Sequence, residues 1–522
     1  MVRGKLAGLM AGWVLAGTLM SAMGYANEVL EVATIAQAAR AYRIENETSI
    51  VRSFREFLSL PNVSNLPANA DDMDRNAAWI VDYLAQRDFT SEVVKAGRAP
   101  YVLASRMQPG AMETILIYAH FDGQPVDASA WQTPPFEPTL RTASVEDGGR
   151  VVAWTDAVAP IDPEWRIFAR SAGDDKAPLI ALMTALDALN EAGIEPSVNI
   201  KLILDGEEEA GSPTLAQILE QHGGSLNADL MLFCDGPMHQ SRRRQLVFGV
   251  RGSMTIDLTT YGPVRPVHSG HYGNWVPNPT DTLVRLLASL KDDAGEIAVV
   301  GFDDDVISVT AAEREAIAAM PDMEAQLVEE LALGRTEGGG DRLELAIMKP
   351  AIVIKGLQAG GVGSRSSNVI RPTATASLNV RLVPDQTPHG ALDAIERHIK
   401  GQGFHIVYED PTRSVLMAHG NVIKVDSRGG YPGFRTALDG PEALRLAAIL
   451  NGLDDEMTLL TPTMGGSLPI YLFERSFDMP IVLLPIANHD NNQHGSNENL
   501  RIQNLWDAVE IFAVILANYG AR

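Results

Sequence analysis

The chain has a single cysteine, Cys234, in 522 residues. It therefore closes no disulfide within itself, and its stability must come from a packed core. Cys234 ends the apolar run 230–234 and reads as a small buried hydrophobe, not a nucleophile. Basic residues are also scarce, since 42 Lys and Arg face 66 Asp and Glu and leave a net charge of −24. Such a surface repels nucleic acid and anionic lipid, which excludes both as partners. Beyond the N-terminus no apolar run is long enough to cross a bilayer. What remains is an ordinary globular composition, 46% hydrophobic and 21% charged, in a chain long enough for two domains.

Residues 1–26 have the pattern of a cleaved secretory signal. Arg3 and Lys5 give a positive start, an apolar run follows from Leu6 to Met20, and Gly24-Tyr25-Ala26 supplies small residues for cleavage. The expected location is periplasmic or secreted, with no membrane association beyond export.

From about Ala41 to Val250, strand and helix patterns interleave as in βαβ units, which predicts a mostly parallel sheet flanked by helices. After Arg251 the pattern changes. Residues 253–259 and 374–383 alternate apolar and polar, as half-exposed antiparallel strands do, and helices are predicted over 280–291, 311–333 and 389–401. The βα character returns near Pro441. The fold class is therefore α/β, with a discontinuous catalytic domain (27–251 and 433–522) and a smaller inserted α+β, ferredoxin-like domain (252–432).

Five apolar runs end in residues able to bind a metal or move a proton. Ile115–Ala119 leads to His120 and Asp122, Ile200–Leu204 to Glu207-Glu208-Glu209, and Leu230–Cys234 to Asp235. Ile481–Ile486 leads to His489, Asp490 and His494, and the short run Arg166–Ala169 leads to Asp174-Asp175-Lys176. Ligands of open α/β sheets bind beyond the carboxyl ends of strands, so five such ends suggest one site gathered from distant segments. In His120-Phe121-Asp122 the imidazole and carboxylate share one side of an extended segment, and the carboxylate can orient the ring. Three adjacent glutamates after a buried strand repel one another unless cations sit beside them. One can then ligate while its neighbour serves as a general base. Two histidines and three carboxylates exceed the needs of one tetrahedral ion and suit two ions sharing a carboxylate. Zinc fits this donor set, with manganese or cobalt as alternatives.

The segments YAHFDGQP, SAGDDKAP, DGEEEAGS, the Asp after LMLFC, and MGGSLPI with NQHGSNE together resemble the di-metal aminoacylase/carnosinase/carboxypeptidase G family of metallopeptidases. PVHSGHYGN and SLNVRLVPDQTP are similar to its carnosinase-like dipeptidase branch. The resemblance implies that His120 and Asp235 hold one metal, Glu209 and His494 the other, and Asp174 bridges them. It also implies that Glu208 is the general base, that Asp122 orients His120, and that the Asp174–Asp175 peptide bond is cis. His268 resembles a histidine that reaches across a homodimer to the partner's site, as part of an inserted lid and dimerisation domain. Arg381 corresponds to the residue that binds a substrate carboxylate, with Asn368, Gly466 and Ser467 lining the same region. Asn368 replaces the more usual Thr, and Ser427-Arg428-Gly429-Gly430 lacks a His common before that glycine pair. The implied function is a zinc-dependent exopeptidase acting on dipeptides or C-terminal residues. The alternatives are an N-acyl-amino-acid deacylase and an inactive binding module on the same fold. Retention of every implied ligand and of Glu208 argues against the last.

Overall fold

The computed structural model describes residues 12–521, with side chains from Val32 onwards. The leader expected over 1–26 lies outside those described side chains. No described helix is long and apolar enough to cross a membrane. The chain divides into two compact units. The first comprises the residues up to Leu246, Ala437–Leu460, and those from Glu474 on; the second comprises Val247–Thr436 and Thr461–Phe473.

The first unit is built on an eight-stranded sheet. Its order is Thr90–Val94, Tyr101–Arg106, Asn199–Asp205, Thr114–His120, Leu230–Phe233, Ile481–Leu483, Gln245–Val247, Leu459–Thr461. Thr114–His120 runs parallel to both of its neighbours, and Ile481–Leu483 runs parallel to Leu230–Phe233. These central strands are buried almost throughout, which explains why they read as unbroken apolar runs. Helices Gly12–Leu58, Ala177–Glu191 and Ile502–Asn518 pack on one another. From Val32 on, the first of these buries Val32, Ile35, Ala36 and Ala39, the three- and four-residue spacing of an apolar stripe.

The sheet is mixed, with parallel pairs at its centre as expected and antiparallel pairs at one edge. Thr90–Val94 and Tyr101–Arg106 form an antiparallel pair, and the latter runs antiparallel to Asn199–Asp205. The few residues joining the first two strands suffice only for a hairpin, because a parallel return needs a long crossover. The strand Arg166–Phe168 also departs from expectation. It belongs to a separate four-stranded sheet, paired antiparallel with Asn499–Arg501 and Thr139–Arg141. Its first residue explains the choice: Arg166 donates to Asp490 Oδ2 (2.6 Å) and Asn499 Oδ1 (3.1 Å), tying the strand to the loop after Ile481–Leu483.

The second unit contains a five-stranded sheet ordered Ala351–Gln358, Thr373–Leu382, Gly252–Tyr261, Val422–Tyr431, His405–Val407. The first four strands, with helices Pro279–Ala288 and Pro388–Gly401, follow the ferredoxin-like βαββαβ order. Gly252–Tyr261 alternates strictly between buried and half-buried positions. Its inward residues Met254, Ile256 and Leu258 meet Leu283, Leu286 and Ile395 in one core.

Two further expectations change. The single helix over 311–333 is two helices, Ala311–Ala319 and Glu324–Glu330, interrupted where Pro321 has no N–H to continue the ladder. Residues 461–473, assigned to the second catalytic segment from sequence, group with the second unit. Phe248 N–H donates to Thr461 O (2.9 Å), Met464 N–H to Gly249 O (2.8 Å) and Arg251 N–H to Gly466 O (3.1 Å). Gly249 is required there, because a Cβ would lie 2.7 Å from Phe434 O and 2.8 Å from Pro462 O.

Candidate active site

Register in the large sheet explains how remote residues meet. His120, the last residue of its strand, lies opposite Asp205, the last of the neighbouring strand. Asp205 is followed by the short 3₁₀ turn Glu208–Ala210. Asp235 lies two residues past Leu230–Phe233, and the loop after Ile481–Leu483 carries His494 in a left-handed conformation (φ 61°). Asp174 sits between Arg166–Phe168 and helix Ala177–Glu191, and its peptide bond to Asp175 is cis.

These side chains form two groups that share Asp174. His120, Asp174 and Asp235 make one, and Asp174, Glu209 and His494 the other; in each, the potential ligand atoms lie within 4.8 Å of one another. His120 Nε2 is 2.8 Å from Asp174 Oδ1 and 3.8 Å from Asp235 Oδ2. His494 Nε2 is 3.2 Å from Asp174 Oδ2 and 3.3 Å from Glu209 Oε2. Asp174 Oδ2 is nevertheless buried without a well-formed hydrogen bond.

The electrostatics fit cations. Burial, then repulsion from Asp174, pushes Asp235 up to about 7 and Glu209 up to about 8. Burial and the charges of Asp235, Glu209 and Asp174 raise Glu208 well above the usual carboxylate range, against the opposing effect of His120. Asp174 is held low despite burial, by its hydrogen bond with His120 and its close contact with His494. The Asp174 contact, outweighing burial, raises His494 to about 9. So many buried carboxylates cannot all ionise without positive charge between them. The orphaned Asp174 oxygen and the mixed His–carboxylate donor set suit two divalent ions sharing that residue.

Asp122 has more than one partner. Its Oδ1 is 3.4 Å from His120 Nδ1, a separation too loose for a well-formed hydrogen bond. It accepts from Ser64 Oγ (2.6 Å) and from the backbone N–H groups of Glu208 (3.0 Å) and Glu209 (3.1 Å). One carboxylate thus caps the turn that carries both glutamates.

The sequence reading missed several supporting groups. Gln124 Nε2 donates to Glu209 Oε2 (2.6 Å), and Glu498 accepts from the Asp174 N–H (3.0 Å). Asn62 donates to Phe121 O (2.7 Å) and Ser171 Oγ (2.8 Å). Buried Lys176, next to Asp175, spends its ammonium on Phe57 O, Leu60 O and Asn76 Oδ1 and is structural. Gln124 and Glu498 both lie inside the motifs used for the resemblance, which is the signal that could have found them.

The remaining candidates lie in the second unit. Arg381 Nη1 donates to Ser467 Oγ at 2.7 Å, next to Gly466, whose carbonyl accepts from Arg251 N–H. His268 pairs with Val369 in a two-residue ladder, and Asn368 O accepts from Ser269 N–H (2.9 Å). The structure therefore brings Arg381 to Ser467 and His268 to Asn368.

Comparison with known proteins agrees with this architecture. The Cys-Gly metallodipeptidase DUG1 of Saccharomyces cerevisiae is 26% identical over 81% of this chain and 82% of its own length. The human Beta-Ala-His dipeptidase is 24% identical over 90% and 89%. Among solved structures, an M20 family metallo-carboxypeptidase from Sulfolobus solfataricus superposes with a TM-score of 0.73 at 24% identity, covering 91% of this chain and 99% of its own. Human carnosine dipeptidase 1 superposes with a TM-score of 0.72 at 20% identity, covering 94% and 99%. The profile of Peptidase family M20/M25/M40 matches residues 116–518, and the chain belongs to that family of hydrolytic metallopeptidases.

Proposed function

We propose that this protein is an exported, zinc-dependent dipeptidase that cleaves an amide next to a free carboxylate. The observation that carries the reading is the pair of ligand groups sharing Asp174, with Glu208 beside Glu209 on the turn that Asp122 caps. The relatives named above as dipeptidases support the substrate class.

His120, Asp235 and Asp174 would hold one divalent ion and Glu209, His494 and Asp174 a second, and the pair would supply Lewis acidity towards water and the scissile carbonyl. Glu208 takes a proton from the attacking water and delivers it to the departing amide nitrogen. Asp122 holds the Glu208 and Glu209 backbone so that base and ligand keep their places. Arg381, oriented by Ser467, binds the free carboxylate, with Asn368 and Gly466 shaping the same region. His268 donates to the oxygen that gains negative charge.

His268 acts across a homodimer in this reading. Ala351–Gln358 is an edge strand whose residues from Val353 to Gln358 are all exposed, an open edge that a second copy can meet about a two-fold axis. Export rests on residues 1–26 alone.

Metal analysis of the purified protein, with hydrolysis of dipeptides, longer peptides and N-acyl amino acids side by side, tests the reading. Two ions per chain and preference for dipeptides are expected. Preference for acyl amino acids makes it a deacylase, and full activity with one ion overturns the two-metal site. Mixing His268→Ala and Glu208→Gln chains should restore activity, because one site of the mixed dimer regains both groups. No recovery in verified mixed dimers removes the role across the interface.

A further inference from the structure

We propose that Glu498 is a positioning residue for the metal pair, and that it fixes the Asp174–Glu209–His494 group more than the His120–Asp174–Asp235 group. The proposal rests on the two-metal reading above.

Glu498 is fully buried, and its carboxylate bonds to Arg170 and to backbone N–H groups. Its Oε1 accepts the backbone N–H groups of Gly173 (3.0 Å) and Asp174 (3.0 Å). Its Oε2 accepts Ser171 N–H (3.1 Å) and Arg170 Nη1 (2.6 Å). One carboxylate therefore takes three backbone donors and a guanidinium, and all four come from residues 170–174. Around these contacts the backbone is laced together: Ala169 N–H donates to Glu498 O (3.1 Å), and Arg170 Nη2 to Gly495 O (3.1 Å).

The position of Glu498 in the sequence gives these bonds their consequence. It stands four residues after His494, in the same loop. That loop presents one ligand, while the Glu498 carboxylate grips the turn presenting another, Asp174. Loosening this grip moves two of the three ligands of the Asp174–Glu209–His494 group relative to each other. In the His120–Asp174–Asp235 group it moves only the shared one, because His120 and Asp235 are carried by adjacent strands of the large sheet. Buried charge is costly unless paired and hydrogen-bonded, and Arg170 with the three backbone donors supplies both for Glu498. Groups that hold metal ligands in place typically affect metal affinity by about 10- to 100-fold.

Glu498→Gln keeps the shape but turns an NH2 towards donors that need an acceptor. Glu498→Asp keeps the charge and the Arg170 partner but shortens the reach. Titration of the metal-free full chain with Co2+ or Zn2+, followed by calorimetry and by Co2+ absorption, reads the two sites separately from activity. The wild-type chain should bind two ions. In both variants one ion should bind as in wild type and the other about 10- to 100-fold more weakly, with activity recovering at high metal concentration. If Glu498→Gln does not fold, Glu498→Asp decides alone. Equal weakening of both ions, or two ions at wild-type affinity, overturns the positioning role. A wild-type chain that binds fewer than two ions overturns the two-metal reading instead.

Discussion

Glu208 and Glu209 are neighbours on one short turn, yet their expected roles differ. Glu209 lies 3.3 Å from His494 Nε2 and receives Gln124, as a ligand should. Glu208 shares only the backbone anchor at Asp122. Glu208→Gln should therefore retain both ions and lose turnover by about 10²- to 10⁴-fold, the usual contribution of a general base. Glu209→Gln should lose metal before it loses chemistry. Metal content and kcat measured on the same preparations check this, and equal metal loss in both variants would reverse the assignment. The members of the two candidate groups stood out in sequence because each follows an apolar strand with no other reason to end in a charge. Ser64 and Asn62 did not, because a side chain that donates to a distant carboxylate or backbone carbonyl leaves no periodic mark.

At the level of elements, alternation was a reliable guide where one strand face is buried, as in Gly252–Tyr261 and Thr373–Leu382. It failed for Arg166–Phe168, since three residues carry too little pattern to show which sheet they join. Helix 311–333 was overextended because an apolar spacing was followed through Pro321. The exposed edge Ala351–Gln358 is the element whose role is easiest to test. Ile354 is 49% exposed, and Ile354→Lys should cost little stability in a monomer. If two copies meet there, it should shift the protein to monomer in sedimentation. Activity should fall with the dimer fraction while metal content stays at two. A variant that remains dimeric places the interface elsewhere.

Over the whole molecule, the discontinuous layout was legible because the change in strand pattern near Arg251 is abrupt. The return of residues 461–473 to the second unit was not, because it depends on backbone pairing with residues 248–251 rather than on side-chain pattern. The first unit carries a dense cluster of buried carboxylates, so bound metal should stabilise it by mass action. Chelation should lower the unfolding temperature, and returning metal should raise it in a concentration-dependent way. A Tm insensitive to chelation would mean that the cluster tolerates its own repulsion. The two candidate groups draw on residues from His120 to His494, and helix Ile502–Asn518 packs against Ala177–Glu191. During synthesis the Asp174–Glu209–His494 group therefore stays one member short long after the strands leading to His120 and Asp235 have been made.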